Sequence, residues 1–205
     1  MDRRALIDYG VATRTLPGEA ESGDLHLVKP VGNGVLVAVV DGLGHGAEAA
    51  AAARAAVTAL DRHASESVLP LLLRCHQALA GTRGVVMSVA FFDRGDASMT
   101  WLGVGNVEGV LLYTDPAARP VRASLVTRGG IVGSELPRLR AEVISVGAGD
   151  TLIFATDGVK TGFVDGVPAD AVPQQLAEYI LTRYGKGTDD ALVLVARYAG
   201  AGAHT

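Results

Sequence analysis

The sequence predicts an α+β protein in which helices pack outside two mainly antiparallel sheets. Three observations carry this. Apolar runs of strand length recur at 35–40, 85–92, 97–104, 107–113, 151–155 and 191–195. In the middle of the chain, short turns rich in Gly, Asp and Asn separate these runs, as antiparallel neighbours require. Helix-favouring stretches are confined to two early segments, 47–63 and about 67–80, and one late segment, 173–184.

Taken in order, residues 35–40 (Val-Leu-Val-Ala-Val-Val) suit a strand buried on both faces. The run ends at Asp41-Gly42. Gly42, Gly44 and Gly46 then free the backbone for a tight turn. Residues 47–63 are alanine-rich and lack Gly and Pro, which favours a helix. In the second helix Leu69, Leu72, Leu73, His76 and Leu79 are expected to share a stripe. Residues 85–92 read as a strand, Asp93-Arg94-Gly95-Asp96 as a turn, and 97–104 as the partner strand, with Trp101 in the core. Gly105-Asn106 reads as a tight hairpin into 107–113. Residues 121–126 and 141–146 are further strands. Residues 151–155 form another buried strand, which ends at Thr156-Asp157-Gly158, and 191–195 form the last. Residues 114–140 carry Pro116, Pro120, Pro137 and several arginines. They read as a loop, either mobile and beside the site or ordinary surface. No repeat or linker interrupts the chain, so a single domain over 1–205 is expected, with about 199–205 as a disordered tail.

Composition narrows the function classes. The chain has 205 residues, 49% hydrophobic and 20% charged, so it is globular and needs no disulfide or metal merely to fold. One cysteine, Cys75, excludes an intrachain disulfide and a cysteine zinc cluster. The net charge of −4 supplies no basic face for nucleic acid. The stretch around 46–60 is too short and polar to span a bilayer, and no apolar leader follows Met1. A cytoplasmic monomer that binds neither nucleic acid nor membrane is expected.

Aspartates recur at the ends of the buried strands. Asp41 follows 35–40, Asp157 follows 151–156, and Asp189-Asp190 precede 191–195. Asp24 stands before Leu25-His26-Leu27-Val28. A carboxylate beside an apolar strand is costly unless paired or metal-bound. If these ends meet, repulsion raises some of the pKa values unless a divalent cation neutralises the cluster. Oxygen donors without cysteine favour Mg²⁺ or Mn²⁺. Asp-Gly is also an ordinary turn dipeptide, and a strand-end aspartate is often only a cap. The residues alone therefore leave an acidic two-metal site and plain turn aspartates both open. Other motifs carry less. Gly103-Val104-Gly105 lies between two strands, without the helix N-terminus that a dinucleotide loop needs. Gly185-Lys186-Gly187-Thr188 lacks the full phosphate-loop spacing. His26, His63, His76 and His204 show no ligand spacing.

Three segments together resemble a known family: Val39-Val40-Asp41-Gly42-Leu43-Gly44-His45-Gly46, Gly149-Asp150-Thr151-Leu152-Ile153-Phe154-Ala155-Thr156-Asp157-Gly158, and Thr188-Asp189-Asp190-Ala191. They are similar to the metal-dependent protein serine/threonine phosphatases, above all to the bacterial SpoIIE-like branch and its short stressosome members. Gly129-Gly130-Ile131-Val132-Gly133 resembles a glycine-rich segment of the same family. The resemblance implies a four-layer α-β-β-α sandwich with two Mn²⁺ or Mg²⁺ ions at one end. It implies that Asp41 bridges the ions, that the Gly42 carbonyl binds one, and that Asp157 and Asp189 hold the other. Asp24 would reach an ion directly or through a water, and Asp190 would either bind or support. Asp41 and Asp157 would be catalytic through the water between the ions. The implied reaction is hydrolysis of phosphoserine or phosphothreonine on stressosome proteins with STAS domains, resetting a stress signal. A catalytically silent phosphatase-like binding domain and a two-metal hydrolase of small phosphate esters are the alternatives. The sequence departs from the wider family at Leu43, where many members carry a histidine; His45 comes two residues later. His45 would either move protons or fix the turn through a backbone bond. The family's upstream phosphate-gripping arginine has no clear counterpart, since Arg14 lies ten residues before Asp24.

Overall fold

The computed structural model describes residues 5–115, 120–168 and 171–200. Among them the chain runs β1 (Ile7–Arg14), β2 (Asp24–Val31), β3 (Gly34–Gly42), α1 (Gly46–Arg62), α2 (Val68–Ala78), β4 (Val85–Asp93) and β5 (Ser98–Val104). It continues through β6 (Glu108–Leu112), β7 (Arg122–Ser124), β8 (Glu142–Ser145), β9 (Thr151–Ala155), α3 (Pro173–Tyr184) and β10 (Ala191–Tyr198). One sheet has the order β1-β10-β9-β6-β7 and the other β2-β3-β4-β5-β8. Every ladder pair is antiparallel.

Side-chain alternation explains the layers. Along β3, Leu36, Ala38 and Val40 meet α1 and α2, while Val35, Val37 and Val39 meet the facing sheet. Along β9 and β10, Leu152, Phe154, Leu192 and Leu194 fill the space between the sheets, and Ile153, Val193 and Val195 meet α3. Both faces of these strands are buried, so their sequences run apolar without a break. The expected α-β-β-α sandwich results. Trp101 is fully buried between the sheets. The alanines of α1 let its backbone approach β3 closely: a Cβ on Gly42 would sit 2.2 Å from the Ala49 carbonyl oxygen.

Several elements differ from the sequence reading. Neither β1 nor β2 stood out, because both are edge strands with mixed polar faces. β1 nevertheless pairs with β10 over its whole length. The buried side of α2 is Val68, Leu71, Leu72 and Cys75. Leu69 and Leu73 of the expected stripe are 38% and 41% exposed, because the leucine-rich helix offers two overlapping apolar faces and the sheet takes the other one. Gly105-Asn106 is not a hairpin within one sheet: β5 and β6 belong to opposite sheets, and the chain crosses between them there. β7 and β8 are shorter than the runs that announced them. The segment at 125–141 is anchored, with Leu125 and Val132 buried and Val132 bonded in both directions to Val85. Residues 116–119, which include Pro116, lie outside the described residues, as do 201–205 of the expected tail, including His204.

One glycine of β1 is fixed by packing against α3. A Cβ on Gly10 would fall 2.2 Å from the Gln174 Cα and 2.3 Å from its nitrogen, both backbone atoms. Gly10→Ala should therefore destabilise the fold by about 1–3 kcal/mol. Thermal unfolding checks this, and an unchanged midpoint would contradict the packing.

Candidate metal centre

The site is assembled from the ends of four strands. Asp24 opens β2 and Asp41 nearly closes β3, and the two are direct partners across the ladder. Like charges facing each other in a strand pair repel. Asp41 shares the parity of Val35, Val37 and Val39, so it belongs to the face turned toward the other sheet. From that sheet come Thr156 and Asp157, just past β9, and Asp189 and Asp190, just before β10.

Thr156 ties the layers together. Its hydroxyl donates to Asp24 Oδ2 at 2.7 Å and accepts the Leu192 amide at 2.8 Å. Asp190 is buried, and both of its oxygens accept backbone amides, from Leu16 at 2.8 Å and Gly23 at 2.7 Å. It holds the loop between β1 and β2 against the start of β10. Gly158 leaves no room for a side chain here, since a Cβ would lie 1.9 Å from the Asp190 carbonyl oxygen.

Asp41, Asp157 and Asp189 line a cleft of about 480 Å³, together with Leu43, His45 and Asn106. Asn106 Nδ2 donates to Asp157 Oδ2 at 2.8 Å, and Lys186 Nζ donates to the Asp157 carbonyl. The Asp190 amide donates to Asp189 Oδ1 at 2.9 Å. His45 stands at the rim; among the described residues its ring makes no bond to the backbone, and its Nδ1 lies 2.6 Å from Glu19 Oε1. The backbone bond expected as one option for His45 is not among the described contacts of its ring. Arg14 ends β1 opposite Ala191 but does not line the cleft.

The electrostatics follow from burial and crowding. Asp41 is pushed up to about 8, first by burial and then by Asp24, Asp157, Asp189 and Asp190. Asp24 is pushed up to about 7, mainly by burial, with the Thr156 hydrogen bond opposing it and the neighbouring aspartates adding to it. Among the described residues no lysine or arginine lines the cleft to offset this charge. Nor do three or more His, Cys, Asp or Glu side chains there close on one point tightly enough to hold an ion as they stand. The donor set still suits a hard cation. It is all oxygen, no lysine or arginine is among its described lining residues, and one oxygen each on Asp157 and Asp189 is left unclaimed by the bonds described.

The structure thus brings Asp41, Asp157 and Asp189 to one cleft, with Gly42 beside Asp41 and with Asp24 and Asp190 buried in its support. Sequence reasoning missed Asn106, Thr156 and Glu19. Asn106 was read as a turn residue and Thr156 as part of a strand end. Glu19 carries no local signal at all, because it reaches His45 across 26 positions of chain.

The chain as a whole resembles several known proteins. Residues 32–199 match the family model of stage II sporulation protein E (SpoIIE). Phosphoserine phosphatase RsbX of Bacillus subtilis (strain 168) is 24% identical over 171 residues, covering 81% of this chain and 84% of its own. A solved structure of RsbX in complex with magnesium superposes with a TM-score of 0.83 at 22% identity, over 94% of this chain and 95% of that one. A chain solved in work on the bacterial stressosome, as a modular system adapted to control secondary messenger signalling, is 31% identical with a TM-score of 0.84. That match covers 93% of this chain and 99% of the other. The PP2C phosphatase domain of SpoIIE from Bacillus subtilis aligns with a TM-score of 0.77 at 21% identity, over 93% of this chain and 62% of that one.

The raised carboxylates set a direction for pH. Below the ordinary value of 3.8, Asp41 is protonated in both folded and unfolded chains and contributes nothing. As pH rises toward about 8, the unfolded chain has released a proton that the folded chain retains, so the group increasingly disfavours folding. Asp41→Asn removes that burden. In metal-free protein its stability relative to wild type should grow across this window and level off above it. Denaturant titrations at several pH values check this, and a difference that stays constant or shrinks would contradict the buried charge.

Proposed function

We propose a function from one premise: the chain belongs to the SpoIIE family, within the metal-dependent protein serine/threonine phosphatases. The chain is accordingly an enzyme of the protein serine/threonine phosphatase class, with the two-sheet fold of that class. Its reaction is hydrolysis of phosphoserine or phosphothreonine on a partner protein. The observation that carries this is the meeting of strand ends from both sheets, which puts Asp41, Asp157 and Asp189 around one cleft with raised carboxyl pKa values beneath it.

Two divalent cations, Mn²⁺ or Mg²⁺, fit the donor set. Asp41, Asp157, Asp189 and the Gly42 carbonyl would hold them. The chemistry they would supply is activation of the attacking water and an offset for charge on the phosphoryl oxygens. The protein's own residues do the positioning. Asn106 fixes one oxygen of Asp157 and leaves the other for coordination. Asp190 has both oxygens committed to backbone amides, so it serves as a structural anchor and Asp189 as the ligand. Asp24, bonded to Thr156, sits behind Asp41. The cleft is open to solvent, which suits a phosphorylated side chain presented by a protein surface.

The likeness to RsbX and to a chain solved in stressosome work supports a place in a stressosome-type complex. Phosphorylated STAS-domain proteins are the expected substrates, and the enzyme acts as a cytoplasmic monomer that resets a stress signal. No described helix is long and apolar enough to cross a membrane.

The test is Mn²⁺-dependent phosphate release from a phosphorylated STAS protein, run beside a small phosphate ester. Activity should vanish in excess EDTA and survive alkylation of cysteine, since Cys75 is buried. Asp41→Asn and Asp157→Asn should each lose at least ~10²-fold in rate while remaining folded. Full turnover in EDTA, or near-wild-type rates in either variant, would sink the reading.

A further inference from the structure

The cleft needs a proton donor for the departing oxygen, and the aspartates cannot supply it while they hold cations. Among the described side chains lining the cleft, only His45 and Asn106 carry N–H donors, and Asn106 turns its amide to Asp157. His45 occupies the N-cap position of α1 but makes no capping bond, so helix formation does not fix its ring. Glu19 fixes it instead, at 2.6 Å from Nδ1. The carboxylate is itself seated. Gly46 has a φ of +74°, and a Cβ there would lie 2.6 Å from Glu19 Oε2, so the absent side chain leaves the notch that Glu19 fills. The loop bearing Glu19 is pinned at Leu16 and Gly23 by the two oxygens of Asp190. A second tie joins Glu21 to Arg54 of α1 at 2.7 Å.

We propose that Glu19 is a positioning residue for His45: it engages Nδ1 and leaves Nε2 as the nitrogen available to the cleft, where it protonates the leaving serine or threonine oxygen. This rests on the phosphatase reading above. As the attacking oxygen bonds to phosphorus, the bond from phosphorus to the side-chain oxygen breaks and its electron pair stays on that oxygen. The oxygen takes the Nε2 proton. The imidazole is left neutral with its remaining proton on Nδ1, the tautomer that Glu19 holds, and solvent returns the proton to Nε2. The products are a free hydroxyl and inorganic phosphate. A carboxylate on one ring nitrogen thus sets which nitrogen does chemistry at the other.

Two substrates and one spectrum test this in the full chain with saturating Mn²⁺. On a phosphoserine peptide, whose leaving oxygen is strongly basic, His45→Ala should lose about 10²-fold or more. That loss should still leave at least about tenfold more residual rate than Asp41→Asn. On an aryl phosphate, whose leaving group needs little protonation, the His45→Ala loss should shrink to within about threefold. Glu19→Ala should follow the same pattern at smaller size, about tenfold on the peptide, and Glu19→Gln, which keeps an acceptor for Nδ1–H, should recover most of it. Independently, ¹⁵N spectra of the imidazole in metal-free protein should show the Nδ1–H tautomer in wild type and Glu19→Gln. Glu19→Ala should show a mixture. Equal losses on both substrates, an unchanged peptide rate in Glu19→Ala, or a tautomer indifferent to residue 19 would each overturn the proposal. An active wild type with those results leaves the phosphatase reading standing, whereas a wild type inactive on both substrates overturns both.

Discussion

Two carboxylates facing each other across the first rungs of the β2–β3 ladder set the terms for this protein. Asp24 and Asp41 sit in a largely apolar sandwich where neither can ionise cheaply, and their neighbours make it worse. The surrounding structure reads as a response to that problem. Thr156 donates to one of them from the opposite sheet, and Asp190, which could have added a further loose charge, is tied into backbone amides. The remaining repulsion is what the proposed ions would remove, making the site unfavourable alone and favourable when loaded. A purely structural role would have favoured replacing such a pair with apolar residues.

Much of this was legible in the sequence because both faces of the central strands are buried. Continuous apolar runs such as 35–40 and 191–195 announce themselves, and so do the polar residues that break them. Asp41, Asp157 and Asp189 were visible for that reason. β1 and β2 were not, because an edge strand has one neighbour and a half-wet face, and its sequence need not alternate cleanly. The α2 stripe was misplaced by its leucines: a helix with apolar residues around most of its circumference does not say which side meets the sheet. The crossing at Gly105-Asn106 was hidden because a two-residue turn looks alike whether it joins neighbours or opposite layers.

Within the site, what sequence could not reach is contact between distant segments. Asp189 and Asp190 are chemically identical neighbours in the sequence. Only the fold separates them, by burying one against the Leu16 and Gly23 amides and turning the other to the cleft. Asn106 and Glu19 belong to loops whose composition is ordinary, and their meaning lies in their partners. The Glu19–His45 contact brings together a loop before β2 and the turn after β3, which the β2–β3 pairing and the ties to Asp190 and Arg54 bring near each other.

The described cleft wall holds no lysine or arginine. Without bound ions, its ionised aspartates would repel a phosphate dianion. On the two-cation reading proposed above, cations would have to bind before substrate. On that reading, scarcity of divalent metal would silence the enzyme without any inhibitor, partner or covalent mark.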